Sequence, residues 1–123
     1  MAWEFIAREL ADMLGVLAHP QRIRIIESLR DGEQDVSTLQ GFLGVSQSQV
    51  SQHLALLRAR RLVIQRKSGR HRFYRLADPR IAEWMLDGVK LLESELNAVD
   101  QLRTAVQQIG NTQAAEAARA ANS

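Results

Sequence analysis

Apolar residues recur every three or four positions from Trp3 to Leu17: Trp3, Ile6, Leu10, Met13 or Leu14, and Leu17. That spacing predicts an amphipathic helix, with Glu4, Glu9 and Asp12 largely off the stripe. His19-Pro20 breaks the pattern and opens a second helix, because a proline in the first turn loses no hydrogen bond. Ile23, Ile26 and Leu29 give it a buried face, and Gly32 is its expected stop. A third, short helix is predicted from about Ser37 to Leu43. Ser37-x-x-Gln40 reads as its capping box, with Val36, Leu39 and Leu43 inward. Gly44 turns the chain, and Ser46-x-x-Gln49 reads as a second capping box. It opens a fourth helix with Val50, Leu54 and Leu57 buried. Only about three residues separate these two helices, so they cross steeply, as in a helix-turn-helix.

After Arg61 the period changes to about two. Leu62-Val63-Ile64 and Phe73-Tyr74 are rich in strand formers, and Ser68-Gly69 between them reads as a tight hairpin turn. Asp78-Pro79 then starts a long helix. Its stripe of Ile81, Met85, Val89, Leu92, Leu96, Val99, Leu102, Val106 and Ile109 follows a heptad-like spacing. A helix over 80–109 would be about 45 Å long, and its stripe calls for a partner helix. Gly88 within it allows either close helix approach or a bend. The fold class is therefore mainly α with a small β-hairpin, ordered α-α-α-α-β-β-α. The expected organisation is one domain over residues 1–110 and a flexible, alanine-rich tail over 111–123.

Composition changes this picture little, but charge changes it more. The 123 residues are 46% hydrophobic and 24% charged, ordinary for a globular protein of one domain. No apolar run approaches the ~18–20 residues of a membrane span, so a cytoplasmic location is expected. There is no cysteine, which excludes disulfides and thiolate chemistry. The net charge of +2 is unevenly spread: −2 over residues 1–34, +6 over 35–78, and −2 over 79–123. All eight charges within Val45–Ala77 are positive. That stretch is a candidate polyanion-binding face.

The fourth helix supplies the candidate chemistry. With Val50 and Leu54 inward, Ser48, Gln52 and Ala55 turn outward, Ser51 lies at the edge and Gln47 sits on the first turn. Short, uncharged donors and acceptors suit base edges in a major groove lined by phosphates. A merely solvated helix face would more usually carry Glu and Lys. The candidate DNA contacts on this helix are Gln47, Ser48, Gln49, Ser51, Gln52 and His53. His53 lies at the helix edge and either touches DNA or packs; His19 reads as a helix-entry residue. The hairpin carries Arg66, Lys67, Arg70, His71, Arg72 and Arg75, which strand alternation cannot place on one face. Arg66, Lys67 and Arg70, nearest the turn, are the candidates for phosphate or minor-groove contact. Arg72 and Arg75 serve either there or as structural ion-pair partners, and Phe73 and Tyr74 are expected to pack.

The run from Val45 to Arg58, VSQSQVSQHLALLR, resembles the recognition-helix signature of the ArsR/SmtB winged helix-turn-helix repressors. Ala18–Ile26 is similar to their second helix, and Leu62-Val63 through Phe73-Tyr74-Arg75-Leu76 to their wing. The resemblance covers about residues 10–95. It implies a homodimer paired through the first and last helices, with two recognition helices roughly 34 Å apart on palindromic double-stranded DNA. It also implies transcriptional repression. Many relatives sense metals, and here the chain departs from the pattern. Their cysteine pair falls at about Asp35 and Ser37. Their interface zinc site falls on Asp78, Arg80, Leu91 and Ser94, with one ligand of four kept, too few for tetrahedral ligation. No metal and no cofactor is expected, which leaves a small organic effector, a protein partner, another switch or constitutive binding. An enzyme is not expected: there is no phosphate loop, metal motif or paired nucleophile. The alternative is a winged-helix protein-interaction or architectural module whose main partner is a protein.

Overall fold

The computed structural model describes residues 1–122. The chain divides into two compact units, Met1–Met85 and the stretch from Leu86 onward. The elements in order are α1 (Ala2–Leu17), α2 (Pro20–Ser28), β1 (Gln34–Asp35), α3 (Val36–Leu43), α4 (Gln47–Ala59), β2 (Val63–Ser68), β3 (His71–Leu76) and α5 (Arg80–Ala121). No helix among the described residues is long and apolar enough to cross a membrane.

Local chemistry sets the helix ends. The residue before a proline is pushed to extended backbone, and His19 takes φ −146° and ψ 129°. It caps α2, its Nδ1 accepting the Gln21 N–H at 3.1 Å, with Pro20 in the first turn. Helix α2 ends at Ser28, earlier than Gly32 suggests; Gly32 instead lies in the following turn at φ +142°. Ile26 and Leu29 are buried as expected, but Ile25 is fully buried and Ile23 is 43% exposed. The helix packs against α1, α3 and α4, so more than one of its faces is covered.

The cap of α3 also differs from the expected Ser37–Gln40 box. Asp35 is the N-cap, accepting the Thr38 N–H at 2.8 Å. The second box forms as read, with Ser46 accepting the Gln49 N–H and Gln49 Oε1 accepting the Ser46 N–H, both at 3.2 Å. Gly44 takes the left-handed conformation that ends α3. Arg61 does the same after α4, at φ 61°. Its N–H donates to the Arg58 carbonyl and that of Leu62 to the Leu57 carbonyl, both at 2.9 Å. That paired closure is the Schellman arrangement, here built without glycine.

The sheet is antiparallel, in the order β1-β3-β2. Strand β1, only two residues long, has no counterpart in the sequence reading; Gln34 and Asp35 face Tyr74 and Phe73. The hairpin closes over Gly69-Arg70, with Ser68 opposite His71 and Gly69 at φ +60°. Glycine at the first of two loop positions suits a tight hairpin, since it alone takes positive φ without strain.

One core joins these elements. Ile25, Ile26, Leu39, Val50, Leu54 and Leu57 are almost fully buried, and Leu62, Val63, Tyr74 and Leu76 close it from the sheet side. Ala82 is also buried, with Ile81 and Met85 packed against the same cluster. Helix α5 begins where Asp78 accepts the Arg80 N–H at 3.0 Å. It runs on past Ile109, and the alanine-rich stretch from Asn111 is helical as far as Ala121. Residues 113–121 are Gln-Ala-Ala-Glu-Ala-Ala-Arg-Ala-Ala, and alanine is the strongest helix former. Ser123 lies outside the described residues.

Candidate nucleic-acid interface

Helix α4 divides its side chains three ways. Val50, Leu54 and Leu57 anchor it in the core. Ser48 and Gln52, one turn apart, are exposed on the opposite side. Gln47, Ser51, Ala55 and Arg58 form the neighbouring row and line a cleft against the hairpin. No acidic residue lies on the helix.

Two of the sequence candidates on α4 are engaged within the protein. Gln49 is held in the capping box, and its side-chain oxygen also accepts the Ser46 hydroxyl at 3.3 Å. His53 Nδ1 accepts Nε of Arg22 at 3.2 Å, and its ring lies 4.5 Å from that of His19. Burial foremost, then the neighbouring His19 and Arg22, pushes the His53 imidazole below its usual range. Arg22 reaches onward to the Val16 carbonyl at 2.9 Å, tying α4 to α1 and α2. At the other end of α4, Arg60 pairs with Glu9 at 3.0 Å and Asp12 at 3.3 Å.

The hairpin register sorts its basic groups. Cross-strand partners share a face, so Lys67 and Arg72 lie with Gln65 and buried Tyr74 on the side of α3 and α4. Arg66 and Phe73, with Ile64 and Arg75, lie on the other side. There Arg66 forks onto Glu33, with bonds of 2.6, 3.1 and 3.2 Å, and its guanidinium stacks 4.6 Å over Phe73. The Arg66 hydrogen bond, reinforced by its charge and that of Arg75, holds the Glu33 carboxyl below its usual range. Arg66 thus pins the hairpin to the loop before β1. Arg70 at the tip and Arg72 border the cleft with Gln47, Ser51 and Arg58.

The structure therefore brings Gln47, Ser51 and Arg70 together, with Ser48 and Gln52 on the adjoining face of α4. Arg66 is placed on the opposite face of the hairpin. One cleft residue, Arg58, has no DNA role in the sequence pattern, and the pattern leaves Arg72 between phosphate contact and ion pairing. Arg58 follows Gln47 and Ser51 at helical spacing. Arg72 is fixed by its pairing with Lys67, which becomes readable once the loop length is known.

At the positions of the interface zinc site, the Arg80 side chain donates three bonds to the Asp78 carboxylate, at 2.7, 3.1 and 3.1 Å. These bonds, chiefly, pull the Asp78 carboxyl down to about 2. Among the described residues no three His, Cys, Asp or Glu side chains are grouped to hold a metal ion.

Residues 19–65 match the family described as bacterial regulatory protein, arsR family. The match runs from the cap of α2 to the start of the hairpin. The chain is also 32% identical to reduced HlyU from Vibrio cholerae N16961, with a TM-score of 0.67 over 73% of this chain and 95% of that one. The chain belongs to the arsR family. It is 31% identical to the transcriptional repressor BigR from Xylella fastidiosa, with a TM-score of 0.66 over 73% of this chain and 92% of that one. This arsR-family chain is also 43% identical over 86 residues to the HTH-type transcriptional repressor SmtB of Mycobacterium tuberculosis. That alignment covers 67% of this chain and 64% of SmtB. The arsR family comprises regulators rather than enzymes.

Proposed function

We propose that this chain is a homodimeric, sequence-specific double-stranded DNA-binding transcriptional regulator, a repressor of palindromic operators. The observation that carries this reading is the exposed face of α4. Gln47, Ser48, Ser51 and Gln52 are short and uncharged, with Arg58, Arg70 and Arg72 beside them and no acid on the helix. Gln pairs with the N6/N7 edge of adenine, and Ser with several bases. The arginines and Lys67 face the flanking phosphates. Gln49, His53 and Arg66 act one step back, through the cap of α4, its seat on α2 and the set of the hairpin. Repression is steric: a dimer across a promoter blocks polymerase. The repressors among its relatives support this sign of regulation.

Selection of bound sequences from random duplex DNA tests the reading. A palindrome with half-site centres one helical turn apart, about 10 base pairs, is expected. Gln52→Ala then relaxes base preference and costs about 1–3 kcal/mol at that site. Arg70→Ala weakens specific and non-specific binding alike. Failure to enrich any palindrome would favour a protein-interaction module instead.

A further inference from the structure

The cleft between α3, α4 and the hairpin has a volume of about 530 Å³, within the range of small-ligand sites. Tyr74 forms part of its lining and is 6% exposed, yet its hydroxyl has no hydrogen-bond partner among the described residues. That hydroxyl keeps some exposure and is not sealed in the core, so it is free to bond a ligand in the cleft. The cleft is also lined by Ser37, Ser51 and three arginines, Arg58, Arg70 and Arg72. None of the three arginines is in an ion pair among the described residues, unlike Arg30, Arg60, Arg66 and Arg80. The one carboxylate in the lining, Asp35, is occupied by the Thr38 N–H and faces His71 at 3.9 Å. Unpaired guanidinium groups with hydroxyl donors are the chemistry that holds a phosphate, by forked, charge-assisted bonds.

We propose that this cleft binds a small phosphate-bearing anion, and that its occupation excludes DNA. The exclusion rests on the reading of α4 as the DNA face, because Gln47, Ser51 and Arg70 belong to both surfaces. The anion is the signal that lifts the chain from its operator. No thiol or metal is needed.

The test uses the full chain. Amide spectra are followed during titration with inorganic phosphate, and with sodium chloride at matched ionic strength. Phosphate is expected to give saturable shifts at Ser37, Ser51, Arg72 and Tyr74 that chloride does not. Arg58→Gln weakens them about tenfold, the loss of one charge-assisted contact. Tyr74→Phe also weakens them but leaves the melting temperature unchanged, since the hydroxyl has no protein partner. Equal shifts with chloride, or none in the cleft, overturn the site. In a second arm a short duplex is added. Saturating phosphate is expected to weaken duplex binding beyond the chloride control, and unchanged duplex affinity overturns the exclusion. Duplex binding without phosphate binding removes the anion site and leaves the DNA reading standing. Phosphate binding without any duplex binding does the reverse.

Discussion

Arg66 and Arg72 carry the same charge on the same hairpin and are six residues apart, yet their surroundings give them different work. Arg66 is neutralised by Glu33 and covered by Phe73. Arg72 faces the cleft beside α4 without a counter-charge among the described residues. Each phosphate neutralised by a cation releases condensed counterions, adding about 0.9 to the slope of log affinity against log salt. Arg72→Gln is therefore expected to lower the slope on a non-specific duplex by about one, and Arg66→Gln to leave it unchanged. Equal losses in the two variants would show that the hairpin face was assigned wrongly. The alternation that separates the two residues is visible in the sequence. Which face meets the protein is not, because that depends on burial of Tyr74 and on a two-residue loop. Nor does the sequence reveal Glu33 as a partner, since it sits 33 residues away in a loop without periodicity.

At the scale of elements, caps decide where helices begin. Ser46 and Gln49 were readable because nothing competes with them. Asp35 and Ser37 compete two residues apart, and the aspartate wins; pairing of Gln34 and Asp35 with β3 fixes the chain just before Val36. Asp35→Ala is expected to lower the urea midpoint at pH 7, with Ser37→Ala unfolding like wild type. The bonds from Thr38 hold the Asp35 carboxyl below its usual value. The stability it confers is thus present above the ordinary carboxylate range and is lost as pH falls through the folded value. The gap between wild type and Asp35→Ala should close below about pH 4. A gap that persists in acid, or a larger loss in Ser37→Ala, would return the cap to the serine. The helix-turn-helix and hairpin were legible because their apolar periods are strong and Gly44 and Gly69 mark the turns. The two-residue β1 has no period to read. The stop at Arg61 uses a residue that gives no glycine signal.

At the scale of the molecule, the unresolved demand is for something to cover the apolar stripes. On α5, Val89, Leu92, Leu96, Val99, Leu102, Val106 and Ile109 are between 47% and 65% exposed. On α1, Trp3, Ile6, Leu10 and Leu14 are between 42% and 79% exposed. Contiguous apolar surface of that kind marks an interaction site. Its spacing on α5 averages one residue in 3.5 from Ile81 to Ile109, the period that keeps a seam facing a partner helix. In the proposed dimer a second copy of the chain would supply an identical seam, and two-fold pairing would make each substitution count twice. Light scattering should give twice the 13.8 kDa chain mass at micromolar concentration. Burying one leucine is worth about 1.5–3 kcal/mol, so Leu96→Glu placed on both seams should cost at least about 3 kcal/mol and yield monomer. Val106→Glu probes the far part of α5 in the same way. If it dissociates the dimer as Leu96→Glu does, the seam runs on towards Ile109. If it has no effect, pairing is confined to the earlier turns. A wild-type monomer at these concentrations would remove the two-fold model, and with it the reason for a palindromic operator.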